Sequence, residues 1–420
     1  MLGQPYFERR LGDIFDLSPI PYLAGVGELS DGTAPIQIQW ELNVCVAGAP
    51  VLAISTKQVI GPDRMAQDGR FVEWRLSGQS ANGEFTATGE GVILSRMSFS
   101  SDEEYTTYFG HFRQMDVRRN GAPSPTRLEG LVRNLDFMGL EWSQHGSENR
   151  QDKFHLNVAG RQVYLHNYVE RKRLRELIEI DRLDRAILGE IHVPIIAGES
   201  LETAMTTLEM IEWFMAFLTM NRTFSPIIRL TESGNFCGWR IAELASDPYR
   251  RSEIVDNHLI PAGLKQAFEQ TFANFVSLET KLNLRRFIDM LLVMRNQKQP
   301  EFLLAGLLLS YEFFTTMFLT DKGKPPHQES NVQQKLNKLN AYLRFIPKAM
   351  LDDTLRKDIR NPLFHQGAID GADMATLWDW YTSYFDLLIQ IVFVVLGYSG
   401  DYISPINHQP TAVPTPVAKK

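Results

Sequence analysis

Three arginine–histidine pairs in this chain share one spacing, with the histidine five residues after the arginine: Arg150 and His155, Arg161 and His166, Arg360 and His365. Such a pair offers complementary chemistry to a phosphodiester. Histidine titrates near neutrality and can take or give a proton, while arginine stays charged and can hold a phosphate through two donors at once. Attack of a ribose 2′-hydroxyl on its neighbouring phosphate needs a proton acceptor, a donor for the leaving 5′-oxygen, and positive charge beside the phosphorane oxygens. Spacing alone does not choose among the three pairs, because it arises readily by chance in a chain of this size.

Local context separates them. Arg161 and His166 fall in an alternating strand pattern, RQVYLHNYV, where an odd separation sends two side chains to opposite faces. Arg150 and His155 straddle a polar turn entering the preceding strand. Arg360 and His365 instead end a helical pattern in which Leu351, Leu355, Ile359 and Leu363 recur every four residues. Asn361-Pro362 lies between them, and proline disturbs or restarts a helix because it lacks an amide donor and biases the residue before it. On an undistorted helix, residues five apart point roughly 140° away from each other. A shared site therefore requires a kink at this point or a second copy of the chain.

The surrounding elements set the frame. From 35 to 100 the chain alternates as strands do, with Ile36, Ile38 and Trp40 between glutamines and a hairpin turn at Asn82-Gly83. FHLNV, RQVYLHNYV and EIHVPII extend this pattern, and the charged run 170–185 reads as strand or as amphipathic helix. Residues 1–198 are expected to form a mainly-β domain, a sandwich or partial barrel. Residues 199–262 read as a bridge: a helix opening at Ser200 with a capping pattern to Thr203, then a short β patch. From 263 to 400 the pattern is helical. Leu264, Phe268, Phe272, Phe275, Leu278 and Leu282 form one stripe, and further helices are expected at 286–297, 299–320, 330–345 and 348–360. A last helix starts at Asp373, whose carboxylate caps it, and runs to Gly397. The proline-rich tail, 401–420, is expected to be disordered. The fold class is therefore α+β, a β-rich part followed by an all-α bundle.

Composition narrows the function classes. The net charge of −7 does not suit a protein that coats nucleic acid, but from residue 263 onward 17 basic residues face 15 acidic ones, so the acidity belongs to the preceding part. Cys45 and Cys237 stand far apart with no CxxC spacing, so neither a disulfide framework nor a zinc knuckle is expected, and a cytoplasmic location fits. No His/Asp/Glu cluster has metal-ligand spacing, which disfavours a metal hydrolase. Two apolar stretches, 302–319 and 387–397, read as buried core helices rather than membrane spans, the first because Glu312 sits near its middle and the second because a span takes about 20 residues.

The stretch IRNPLFHQG, with Arg360, Asn361 and His365, resembles the signature of HEPN domains, and the late position of the motif in a helical bundle before a long apolar helix agrees. The resemblance covers 265–398. More loosely, RLSGQSANGEFTATGEG and the helix over 201–221 resemble the region preceding the HEPN domain in a bacterial anti-phage family of the ApeA type. This resemblance implies a metal-independent endoribonuclease without a cofactor, RNA as substrate, and motifs meeting across a homodimer or higher oligomer. It further implies a role in phage defence with a phage-derived trigger. Arg360 and His365 would be catalytic, and Asn361 would orient substrate or arginine. Glu312 would support Arg360, since a buried carboxylate is costly without a partner and HEPN domains often carry an acidic residue near the arginine; a solvent-facing Glu312, or one paired with Lys322, is the alternative. Lys348, Arg356 and Lys357, with Lys335 and Lys338, would steer RNA or serve as an ordinary solvated face. Trp378, Trp380, Tyr381 and Tyr384 read as a core or dimer stripe before a base-stacking one. Gly367 occupies the place where HEPN toxins controlled by tyrosine modification carry a tyrosine. The competing reading is a non-catalytic dimerisation or RNA-binding module with a ligand-recognising β domain.

Overall fold

The computed structural model describes residues 19–45, 48–67, 70–99, 105–145, 148–158, 160–180, 183, 185–243, 248–250, 253–327, 331–352, 355–369 and 371–416. The fold is mixed α+β, with a β-rich, barrel-like N-terminal region and helices in the C-terminal part. Two compact units divide the chain: Met1–Asp136, Val163–Glu209 and Thr223–Tyr249 form the first, and Phe137–Gln162, Met210–Arg222 and Arg250–Lys420 the second. The segment expected to bridge, 199–262, is thus shared between them.

In the first unit, β1 (Leu23–Ser30), β2 (Ile36–Val44) and β3 (Pro50–Thr56) form an antiparallel meander. A helical turn α1 (Pro62–Met65) and the two-residue pair β4 (Ala66–Gln67) and β5 (Arg70–Phe71) lead into β6 (Trp74–Ser80) and the long β7 (Phe85–Phe99). β8 (Thr106–His111) pairs with both β3 and β7, so β7, β6, β1, β2, β3 and β8 close into a ring. Closure of this kind leaves no free strand edge around the ring. The alternation read from Ile36, Ile38 and Trp40 aims those side chains into the core beside Leu42, Leu52, Ile54 and Trp74. Gly78 makes room for the Trp40 indole: a Cβ there would lie 2.5 Å from its Nε1.

The sheet continues from the other half of β7 through β9 (Gln114–Arg119), β16 (Asn235–Ala242), β15 (Ile227–Glu232), β10 (Arg127–Arg133), β14 (Ile187–Pro194) and β13 (Arg161–Asn167). The β patch read near 226–241 is therefore part of this sheet. The charged run after 170 resolves into α2 (Arg171–Glu179), with Arg171 and Arg175 on Asp136.

The second unit contains the hairpin β11 (Glu141–His145) and β12 (Glu148–Val158), the last part of α3 (Leu201–Thr219), and the helices α4 (Gly263–Leu282), α5 (Leu284–Arg295), α6 (Pro300–Asp321), α7 (Val332–Leu343), α8 (Asn361–Gln366) and α9 (Met374–Leu396). Ser200 caps α3 through the Thr203 amide at 3.1 Å. The α4 stripe is real: Leu264, Phe268, Phe272, Phe275 and Leu282 are buried, and Phe214 of α3 packs its ring against three of the phenylalanines. α6 occupies the middle, packed against α4, α5, α7, α8 and α9. Both α6 and α9 are long and apolar enough to cross a membrane, and 56% and 61% of their apolar windows are buried within the protein.

Two expectations require correction. The helix expected over 348–360 is a 3₁₀ turn, Lys348–Leu351, followed by a π turn, Leu355–Arg360. An apolar spacing of strictly four overshoots the α-helical turn by roughly 40° at each step, and a π turn, closed by i to i+5 hydrogen bonds, takes up the excess. Leu355, Ile359 and Leu363 are all buried as a result. The tail from 401 is also ordered through residue 416. β17 (Asp401–Ile403) and β18 (Pro410–Ala412) form a small hairpin, anchored because Tyr402 and Ser404 both donate to the buried Asp386 carboxylate of α9, at 2.8 and 2.7 Å.

Candidate active site

Glu312 owes its position to the residue before it. Tyr311 is fully buried and donates its hydroxyl to the Tyr384 carbonyl of α9 at 2.6 Å, which fixes the rotation of α6. One residue on, and about 100° around the helix, Glu312 is only partly buried. There it meets Arg360, the last residue of the π turn: Arg360 Nε donates to Glu312 Oε1 at 2.8 Å. The second carboxylate oxygen, Oε2, lies 3.8 Å from Lys335 Nζ on α7. Lys335 follows the buried seam of Val332, Leu336 and Leu339, so its ammonium is held at the edge of the bundle. The alternative partner, Lys322, pairs with Asp321 instead.

Three elements thus place one carboxylate between two cations. Arg360 uses only Nε in this arrangement; among the described residues no hydrogen bond engages its two terminal nitrogens. Its guanidinium also lies 5.4 Å from the Phe364 ring centroid, a cation–π contact that limits its swing. The Arg360 side chain is 30% exposed.

His365 lies in the last turn of α8 and is exposed. Arg360 already has α-helical dihedrals, φ −64° and ψ −50°, and α8 continues unbroken from Asn361. The distortion associated with Pro362 therefore precedes the pair and does not lie between its members. The two side chains keep the divergence of an ordinary helix, roughly 140° around the axis and about 7.5 Å along it. Asn361 is half-buried at the first position of α8. The structure brings Arg360 and Glu312 together and leaves His365 apart from both.

Of the residues expected to steer RNA, Lys348, Lys357 and Lys338 are exposed, whereas Lys335 belongs to the Glu312 cluster. The Arg356 side chain lies outside the described residues. Tyr381 and Tyr384 are buried in the bundle, Trp380 is partly buried, and Trp378 remains 40% exposed. The histidines of the other two pairs are engaged elsewhere: His155 is bonded to Glu141, and His166 stacks on His192 at 4.7 Å. Among the described residues, no group of three or more His, Cys, Asp or Glu side chains is placed to hold a metal ion.

No protein-family model matches the chain, and no curated protein or solved structure matches it.

Proposed function

We propose that the chain is a metal-independent endoribonuclease of the HEPN type, acting in the bacterial cytoplasm in defence against phage, with a homodimer completing its site. The observation that carries this reading is Arg360: its Nε is fixed by Glu312 at 2.8 Å, and among the described residues no hydrogen bond engages its terminal nitrogens. That geometry suits two-point binding of a phosphate. Glu312 and Lys335 are positioning groups in this scheme: Glu312 holds the guanidinium and Lys335 pairs with the other oxygen of Glu312.

The divergence of His365 from Arg360 supports a site shared between copies. In a dimer with the two α8 segments facing, His365 of one chain takes the proton of the ribose 2′-hydroxyl. The 2′-oxygen then bonds to phosphorus, the bond from phosphorus to the 5′-oxygen breaks, and His365 of the partner subunit protonates the departing oxygen. Arg360 stabilises the charge that develops on the non-bridging oxygens. The products are a 2′,3′-cyclic phosphate and a 5′-hydroxyl.

A second reading has an observation of its own. Arg360 is already ion-paired and stacked, a sufficient reason for an arginine in a non-catalytic dimerisation or RNA-binding module. Recombinant protein incubated with total RNA in EDTA separates the two. Cleavage by the wild type, lost in both Arg360→Ala and His365→Ala while both variants stay folded and dimeric, is the expected result. Intact RNA with the wild type and variants alike, at every oligomeric state reached, would select the non-catalytic module.

A further inference from the structure

A cavity of about 400 Å³ opens in the second unit between α5, α9, the residues Arg250, Glu253 and Ile254, and the tail hairpin. That volume lies within the range of small-molecule sites. One wall is aromatic: Trp378, Tyr381 and Phe385 follow one another on a single face of α9, with Trp378 set edge-on to Tyr381 at 5.7 Å and Tyr381 stacked on Phe385 at 5.6 Å. Trp378, 40% exposed, offers the free ring of this series.

The opposite chemistry comes from two arginines. Arg250 donates to the Arg295 carbonyl at 2.7 Å, and Arg295 donates to the Met220 carbonyl at 2.9 Å. Each spends one donor on main chain, and among the described residues neither forms an ion pair with a carboxylate. Burial and the like charge of Arg250 pull Arg295 below the usual arginine range, opposed by Tyr381 and Glu253. Among the described lining residues Glu253 is the one carboxylate, beside the two arginines.

We propose that this cavity binds a nucleoside monophosphate, its base stacked on Trp378 and its phosphate received by Arg250 and Arg295. A phosphate dianion would add a counter-charge beside the two arginines, and a planar base matches the exposed indole. The proposal is independent of the ribonuclease reading, since its readout is equilibrium binding.

The test uses the full-length protein and titration calorimetry with AMP, GMP, CMP and UMP, with adenosine and inorganic phosphate as partial ligands. At least one nucleotide should bind saturably, and the matching nucleoside and phosphate alone should each bind about 30-fold more weakly or worse. Trp378→Ala, at the rim, should weaken binding about 10-fold, and Arg250→Gln about 30-fold. Glu253→Gln should tighten it about three-fold or more, because a like charge is removed beside the phosphate; a merely structural defect would not do this. The proposal is overturned if none of the four nucleotides binds at millimolar concentration, if the nucleoside binds as well as its monophosphate, or if binding is indifferent to Trp378→Ala and Glu253→Gln.

Discussion

Replacing Glu312 by Gln removes the charge that sits between Arg360 and Lys335 while keeping the volume of the side chain. Exposed ion pairs contribute 0.2–1 kcal/mol and breaking a buried one costs about 3–5 kcal/mol. The Arg360 and Glu312 side chains are 30% and 26% exposed, with Nε and Oε1 at 2.8 Å, so the pair belongs toward the lower part of that interval. A loss of about 1.5 kcal/mol is expected, partly because the two cations are left facing each other at the edge of α7. At roughly 2–4 °C per kcal/mol for a unit of 150–250 residues, the melting temperature falls by about 3–6 °C. The effect on RNA cleavage should be larger than this stability loss implies. A guanidinium released from its anchor loses orientation, and removing an oriented transition-state donor costs about 10²–10³ in rate; misorientation should cost about 10–30-fold. A double-mutant cycle with Arg360→Ala separates positioning from general destabilisation, by thermal unfolding and by single-turnover cleavage of a labelled RNA. Glu312→Gln should add almost nothing to the cleavage defect of Arg360→Ala, since its influence passes through the arginine. A further multiplicative loss in the double variant would refute the argument that Glu312 acts by holding Arg360.

Other consequences concern stability. In the first unit, Glu190 is buried, which alone would raise its pKa, but the His192 hydrogen bond at 2.8 Å and the charges of His192 and Arg229 hold it below the usual carboxylate value. A depressed folded-state pKa contributes stability above the unfolded value near 4.5 that is lost as pH falls below it; Glu190→Gln should flatten the acid limb of a stability-versus-pH curve there, measured by urea unfolding. In the second unit, burial, then the charges of Asp352 and Asp358, push the Tyr384 hydroxyl up to about 12. The unfolded chain ionises first, so stability should fall between about pH 10 and 12, and less steeply in Tyr384→Phe, as circular dichroism on alkaline titration would reveal. Asp386→Ala should cost about 2–4 kcal/mol, because Tyr402 and Ser404 lose their buried acceptor. Limited proteolysis should then cut the 401–416 hairpin far faster than in the wild type.

Legibility in the sequence followed the range of the interaction. The α4 stripe from Leu264 to Leu282, the Asp373 cap, whose carboxylate accepts the Thr376 amide at 2.8 Å, and the turn at Asn82-Gly83 are local patterns with local causes. The β-rich N-terminal part was readable from alternation, but closure of its ring was not. It depends on β7, whose first half pairs with β9 and whose second half pairs with β8, and no window of sequence records that division. The tail was misread for a similar reason. Its prolines and polar residues suggest disorder, whereas order comes from Asp386, a buried acid that accepts hydrogen bonds from Tyr402 and Ser404 of the tail as well as from Gln390. In the candidate site, the cost of a partly buried carboxylate asks only for some partner and leaves Lys322 or solvent open beside Arg360; the choice of Arg360, 48 residues away, is made in three dimensions. The π turn was hidden because its signal, an apolar spacing of four instead of an alternation of three and four, is a small departure from an ordinary helix. Arg250 and Arg295 carry no local signal, since what brings them together is the cavity they share with Trp378 and Tyr381 in three dimensions.

The most direct test of the central claim is the chemistry of the RNA ends. A single oligoribonucleotide should be incubated with the purified protein in EDTA and its fragments resolved by mass spectrometry, beside Arg360→Ala and His365→Ala. The account predicts 2′,3′-cyclic phosphate and 5′-hydroxyl ends with the wild type and uncut RNA with both variants. Fragments bearing 3′-hydroxyl and 5′-phosphate ends, or cyclic-phosphate ends produced equally by His365→Ala, would contradict it.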